Sequence, residues 1–173
     1  MGGTSFFFAF FAFLAILFSI LVVSFKNPVS SAFSLVMVLF NVAAVFAIQD
    51  AHFAAAVQIL VYAGAIAVLF VFVIMLLNID VVPLDFPKTK IQYWLGGALA
   101  LVFFIVSCFA IVRGGSSGTP GPFTAEAVTS GGGNIKMISQ RMFTGYLFSF
   151  ELVALLLTLA VVGSIVLAKR KVD

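Results

Sequence analysis

Charged residues are scarce in this sequence. Lysine, arginine, aspartate and glutamate together make up 9% of the 173 residues, whereas apolar residues make up 64%. An ordinary soluble domain is about 25% charged. Since so few side chains are suited to water, the composition excludes a typical soluble domain and indicates a chain that is solvated mainly by lipid.

The residue types that build most catalytic and metal sites are almost absent. There is one cysteine, Cys108, and one histidine, His52, too few for an internal disulfide or a metal site of paired ligands. The sequence has no glycine-rich phosphate loop, no nucleophile–base–acid set and no basic patch with interleaved aromatics. We therefore expect no nucleic-acid binding, no flavin, haem or iron–sulfur cluster held by this chain, and no autonomous catalytic site. Cys108 is interpreted as a small buried apolar residue and His52 as an interfacial residue.

The sequence is rich instead in long apolar runs. Five of them reach the roughly 20 residues that a helix needs to cross a bilayer. Lipid admits only helices and closed barrels, and the alternation of polar and apolar residues that a barrel requires is missing. The chain is thus predicted to be all-α, a single membrane domain over 1–173. The predicted transmembrane helices are 6–25, 29–48, 51–79, 91–112 and 146–168.

The connections between these runs contain recognisable start and stop signals. Asn27 is predicted to cap the second helix, with Pro28 at its first position, where a missing N–H is harmless. The one long connection, 113–145, is predicted to be an external loop that is flexible or extended through Gly133. Its second half, 135–143, has apolar residues at a helical spacing with basic residues between them, which favours a short interfacial helix.

Basic residues are distributed unequally between the two sides that five spans define. Most of them fall on one side, and the richer side of a membrane protein is usually cytoplasmic. We therefore predict an N-out/C-in topology. Tyr93 and Trp94 are interpreted as an aromatic anchor at the membrane surface. The richer side has Lys26, Lys88, Lys90, Lys169, Arg170 and Lys171, and the other side has Arg113, Lys136 and Arg141.

Three polar residues within the predicted spans are candidates for function. Glu151 is the acid among them, and a charge at a helix centre costs about 2.5–3.5 kcal/mol, so it is either part of a proton path or a hydrogen-bonded helix contact. Gln58 and Asn41 are uncharged and suit hydrogen bonds between helices, worth about 0.6–2 kcal/mol each. One buried acid is too few for a self-sufficient proton pump, which indicates a subunit of a larger complex.

The third helix has a distinctive centre, where Tyr62 is followed by a cluster of small residues that includes Gly64. Glycine weakens a helix locally, and a bulge at such a point is often functional. The alternative is that Ala63 and Ala67 form an ordinary packing seam between helices. Physical reasoning alone leaves both interpretations open.

The same helix contains the segment VQILVYAGAIAVLFVFVIMLLN, which resembles the third-helix signature of the NADH-quinone oxidoreductase subunit J family, the bacterial counterpart of mitochondrial complex I subunit six. The second helix starts with NPVSSAFSLV and the last contains FTGYLFSFELVALLLTLAVVGSIVLAKR, in the order expected of that family. The resemblance covers nearly the whole chain except the Gly/Ser-rich part of the long loop. It implies a membrane-arm subunit of a complex that oxidises NADH through FMN and iron–sulfur clusters, reduces quinone and translocates protons. The implied partners are other membrane-arm subunits, and the implied location is the bacterial inner membrane or, alternatively, the mitochondrial inner membrane.

The resemblance also implies a role for the third helix. In that family the helix switches between a π-bulged and a regular α form around the positions of Tyr62 and Gly64, which would make this chain a conformational gate. Gln58 and Glu151 are then candidates for a proton path or a helix contact. Two alternatives stay open: a related subunit of a multisubunit cation/proton antiporter or membrane-bound hydrogenase, and a non-catalytic structural or assembly protein.

Overall fold

The structure is a computed structural model that describes residues 2–77, 90–113, 121 and 124–169. Five of its helices are long and apolar enough to cross a membrane, so the predicted all-α architecture with five candidate spans is confirmed. The long helices are α1 (Gly2–Ser24), α2 (Pro28–Ile48), α3 (His52–Leu77), α4 (Lys90–Arg113) and α7 (Leu147–Ala168), and the two short ones are α5 (Ala125–Ser130) and α6 (Asn134–Thr144). The predicted end of the third helix at 78–79 lies outside the described residues, as do Lys88, Arg170, Lys171 and the side chain of Tyr93.

The first two helices form a tight hairpin around Lys26. The Asn27 side-chain oxygen accepts from the backbone N–H groups of Val29, at 2.9 Å, and Ser30, at 3.4 Å, so the predicted cap is confirmed. The hydroxyl of Ser31 donates to the carbonyl oxygen of Val22 at 2.6 Å. This bond joins the start of α2 to the end of α1.

The turn between α2 and α3 contains an aspartate in a conformation that glycine usually adopts. Asp50 has a φ of 59°, its N–H donates to Ala47 O, and the next N–H, of Ala51, donates to Phe46 O. These two bonds satisfy carbonyl groups that the helix end would otherwise leave without partners. The His52 imidazole lies 3.9 Å from the Asp50 carboxylate, and both side chains are exposed.

The core lies where α2 packs against α1 and α3. Its buried side chains are small, which lets the helix backbones approach closely and suits helix association in lipid. In the described residues no large side chain is fully buried. The buried residues are Ala32, Ser34, Asn41, Ala43, Ala55, Ala63 and Ala67.

The other two long helices stand apart from this core. Within the described part of the chain, α4 contacts no other helix and α7 contacts only α6. Trp94 is exposed in the first turns of α4. Cys108 is exposed on the same helix, so the expectation that it is buried was wrong for this chain, because α4 packs on none of the described helices.

The long connection is more ordered than the sequence suggested. Residues 125–130, which were expected to be flexible or extended, form α5, whose first turn is capped by the Thr124 hydroxyl accepting from Ala127 N–H at 3.2 Å. The glycines after it form a turn: Gly132 and Gly133 have φ of 94° and 92°, and their N–H groups donate to the carbonyls of Thr129 and Val128. The short helix predicted at 135–143 is present as α6.

Candidate functional site

The centre of α3 is not an α-helix. Residues Gln58–Ile66 form a π-helical segment, after which the N–H of Ala67 donates to the carbonyl of Tyr62, five residues earlier. The helix is α-helical before the segment, over His52–Val57, and after it, over Ala67–Leu77. π-Helices are rare and occur mostly as single-turn bulges, frequently at functional sites. A nine-residue π-helical segment therefore makes the centre of α3 a candidate functional site.

Gly64 lies close to the backbone of the preceding turn of α3. A Cβ atom built on Gly64 would lie 3.0 Å from the carbonyl oxygen of Ile59, five residues earlier. That separation is shorter than ordinary van der Waals contact, so a larger residue would have to displace the carbonyl. At Gly163 in α7 a Cβ would meet no atom within 4 Å apart from its chain neighbours and the backbone of its own helix. The close contact at Gly64 arises within α3 itself, where the π winding places the carbonyl of the fifth preceding residue beside the glycine.

The π-helical segment aligns three buried alanines, Ala55, Ala63 and Ala67, which are 8%, 2% and 3% exposed. In a regular α-helix the eight residues from Ala55 to Ala63 amount to about 2.2 turns, which would put their side chains roughly 80° apart around the axis. A π turn holds roughly one residue more than an α turn, so one α turn and one π turn return Ala63 to the side of Ala55. The π form thus keeps one alanine face against α2.

Tyr62 lies on a different face of the segment from the alanines. Its side chain is 49% exposed, and its neighbour Leu60 is 72% exposed, so within the described residues α2 does not cover this face. Gln58 is the first residue of the π-helical segment and is half-buried. Tyr62, Gly64 and Gln58 are therefore brought together by one stretch of nine residues.

Glu151 lies apart from the π-helical segment. It is exposed on α7, which contacts only α6 among the described helices, and neither Glu151 nor Gln58 makes a side-chain hydrogen bond within the described residues. Asn41 is buried on α2, and its amide donates at 2.6 Å to Met37 O of the same helix, so this bond does not join two helices. No group of three or more His, Cys, Asp or Glu residues that could hold a metal ion occurs in the part of the chain described.

Sequence reasoning missed Asn134, the first residue of α6. Its side-chain oxygen accepts a hydrogen bond from the N–H of Phe53, at 3.2 Å, near the start of α3. The two residues are 81 positions apart. No local pattern signals a bond of this kind, because both partners are ordinary residues at the ends of separate helices.

These features define a multi-pass helical membrane protein with a π-helical segment in its third long helix. The model of the family described as NADH-ubiquinone/plastoquinone oxidoreductase chain 6 matches residues 18–167. The chain belongs to this family, and the resemblance seen in the sequence is confirmed.

Individual relatives agree with the family match. The chain is 35% identical over 163 residues to NAD(P)H-quinone oxidoreductase chain 6 of Synechocystis, covering 92% of this chain and 77% of the relative. It is 32% identical over 169 residues to NADH-quinone oxidoreductase subunit J of Rhodobacter capsulatus, covering 96% and 83%. It is 35% identical over 148 residues to NADH-quinone oxidoreductase subunit J of Escherichia coli strain K12, covering 83% of this chain and 75% of the relative.

Proposed function

We propose that this chain is a membrane-arm subunit of a proton-translocating NADH:quinone oxidoreductase, in which α3 is a conformational gate between quinone reduction and proton movement. The observation that carries the proposal is the π-helical segment with Gly64 against the Ile59 carbonyl. The names of the relatives support the identity of the complex. NADH, FMN, the iron–sulfur clusters and quinone, which together carry the electrons, are bound by other subunits. The location is the bacterial inner membrane.

The gate works by exchanging hydrogen-bond partners along α3. In the α form, the N–H of Ala67 would leave Tyr62 O and bond to the carbonyl of Ala63, four residues earlier. Each π turn converted to an α turn rotates one end of the helix relative to the other by roughly 100°, because about one residue of winding is regained. Side chains such as Tyr62 then face a different neighbour. A water path between subunits can open or close with this rotation.

The change of winding brings a different residue to the α2 side of the helix. Measured from Ala55, a regular α-helix turns Ala63 about 80° past that side and leaves Tyr62 only about 20° short of it. Tyr62, which is 49% exposed in the π form, would therefore turn toward α2 in the α form. A gate of this kind needs two states that differ by only a few kcal/mol, because both then remain populated.

Purification of the intact complex through a tag on this chain tests whether the chain is a subunit of an NADH:quinone oxidoreductase. The chain should appear in equal stoichiometry with a flavin-containing module that oxidises NADH and with quinone reductase activity. A complex without that module would favour the antiporter or hydrogenase alternative. Absence of the chain from the mature complex would favour an assembly protein.

We expect Glu151→Gln to lower coupled proton movement severalfold while the complex still assembles. Glutamine preserves the shape and most hydrogen bonding of the side chain but removes the charge, whereas Glu151→Asp keeps the charge and should retain most of the activity. The measurement is proton translocation and quinone-linked NADH oxidation in membranes that contain equal amounts of each complex. Normal proton translocation in the glutamine variant would show that the charge of Glu151 is not needed for pumping.

The N-out/C-in topology is a further prediction. The bond between Phe53 and Asn134 supports the division of basic residues, since it puts α6, with Lys136 and Arg141, at the end of α2 opposite Lys26. The greater number of basic residues on the Lys26 side then favours that side as cytoplasmic. Reporter fusions after Lys171 should behave as cytoplasmic and fusions near Gly118 as external. The reverse pattern would refute the orientation.

A further inference from the structure

We infer that α6 binds an anionic phospholipid of the bilayer, whose phosphate lies at Arg141 and whose acyl chain enters an apolar groove beside that residue. The groove has a volume of about 520 Å³. None of the described residues that line it belongs to the π-helical segment. The lipid site is therefore independent of the proposed gate.

The helix that forms the groove lies at a surface of the membrane. Asn134, its first residue, accepts a hydrogen bond from the N–H of Phe53 near the start of α3. At its other end the chain passes from Thr144 to the start of α7 at Leu147. Both α3 and α7 are candidate membrane spans, so their starts mark one membrane surface. Since α6 connects them and mixes apolar with basic residues, it suits the boundary between lipid headgroups and acyl chains.

The groove follows one side of α6. Met137, Ile138 and Met142 line it, at spacings that put them on the same face of a helix. Val128 of α5 and Tyr146, just before α7, also line it. The three α6 side chains are only half-buried, so part of their apolar surface stays accessible. An acyl chain suits this groove, because burial of its methylene groups against apolar side chains stabilises binding.

Arg141 lies where this groove meets a more polar recess. The recess has a volume of about 410 Å³ and is lined by Gln140 and Thr144 together with Met137 and Arg141, which also line the groove. The guanidinium group has five N–H donors, so it can bind phosphate oxygens together with other partners. A phospholipid fits this order of surfaces: its chain occupies the groove, its phosphate binds Arg141 and its headgroup lies in the recess.

The charge of α6 favours an anionic lipid over a zwitterionic one. Lys136 and Arg141 are both basic, and residues 134–144 contain no aspartate or glutamate. Five positions separate the two basic residues, which puts their side chains roughly 140° apart around the helix. Arg141 lines the groove, whereas Lys136 lies beside the glycine turn, where its Cδ is 2.6 Å from a Cβ built on Gly132. The two residues therefore allow a bound phosphate to be distinguished from attraction by the general charge of the helix.

Photo-crosslinking of lipids to the intact complex tests the site. The complex is reconstituted in phosphatidylcholine vesicles that contain a trace of phosphatidylglycerol or phosphatidylcholine with a photoreactive group in the acyl chain. Mass spectrometry then quantifies the lipid attached to peptides that cover 124–146. Labelling by phosphatidylglycerol should exceed labelling by phosphatidylcholine about fivefold, the factor expected for one basic residue beside an anionic lipid.

Two results in the parent complex would overturn the inference. Equal labelling by the two lipids would leave Arg141 only as a charge that stabilises the end of α6. No labelling by either lipid would show that a neighbouring subunit covers the groove. Because this comparison needs no substitution, it decides the question even if a variant does not assemble.

Substitutions then locate the phosphate and the acyl chain. Arg141→Gln should reduce the preference for phosphatidylglycerol to less than about twofold, and Arg141→Lys, which keeps the charge, should retain most of it. Lys136→Gln is the matched control, since it removes a positive charge from another side of the same helix, and it should leave the preference unchanged. An equal loss in Arg141→Gln and Lys136→Gln would overturn the phosphate site. Ile138→Trp fills the groove and should lower labelling by both lipids, and unchanged labelling would overturn the position of the acyl chain.

Discussion

Replacing Gly64 with valine is expected to reduce proton translocation coupled to NADH oxidation by a factor of five or more in a complex that still assembles. A Cβ at this position lies 3.0 Å from Ile59 O in the π form, and valine adds two methyl groups that stiffen the side chain. The bias between π and α forms should be about 1–3 kcal/mol, which is about a 5- to 150-fold change in their ratio. The measurement is proton movement and quinone-linked NADH oxidation in membranes with equal amounts of mutant and parent complex.

Gly163→Val is the matched control for this variant. Gly163 is also a helical glycine in a transmembrane span, and a Cβ there would meet no atom within 4 Å apart from its chain neighbours and the backbone of its own helix. A loss of coupling that is equal in both variants would point to general helix packing and not to the π-helical segment. Normal coupling and turnover in Gly64→Val would reject the gate. Two states of α3, observed in the complex with and without turnover, would support it directly.

Ala63→Leu is expected to prevent α2 and α3 from packing, so that the chain no longer accumulates in an assembled complex. Ala63 is 2% exposed, and a leucine side chain has no space there unless the helices separate. Adding even a few methylene groups to a packed interior typically costs about 1–3 kcal/mol. The level of the chain in native gels of membrane extracts measures the effect.

Ala65→Leu provides the comparison for this second variant. Ala65 lies two residues further along the same π-helical segment but is exposed within this chain. We expect it to assemble to a greater extent than Ala63→Leu. Equal assembly of the two variants would mean that the alanine face against α2 does not position α3.

The number and class of the five long helices were predictable because the signals for them are local. A bilayer sets the length of a span, and uninterrupted apolar runs of that length have no other stable structure in lipid. The start of α2 was predictable for the same reason, since Asn27 and Pro28 lie next to the bonds that they affect. The resemblance in the third helix predicted that Tyr62 and Gly64 lie at the bulge, and both lie within the π-helical segment.

The remaining features depend on information that a single sequence does not contain. An apolar run has the same composition in α and π form, so the boundaries Gln58 and Ile66 could not be predicted from hydrophobicity. The bond between Phe53 and Asn134 joins distant positions. For α5 the sequence does contain a local signal, since Thr124 followed by Glu126 in the first turn is a typical helix start.

The position of α7 affects how mutations in this chain should be interpreted. Among the described helices only α6 contacts α7, and α6 has 11 residues whereas α7 has 22, so α6 can lie along at most about half the length of α7. In the proposed complex, neighbouring subunits would cover much of the remaining surface of α7. The free energy that holds α7 in place depends on the concentration of those neighbours, as it does for an obligate oligomer. The measured effect of a destabilising substitution in α7 will thus depend on the supply of the other subunits, and the same substitution will have a larger effect where they are scarce.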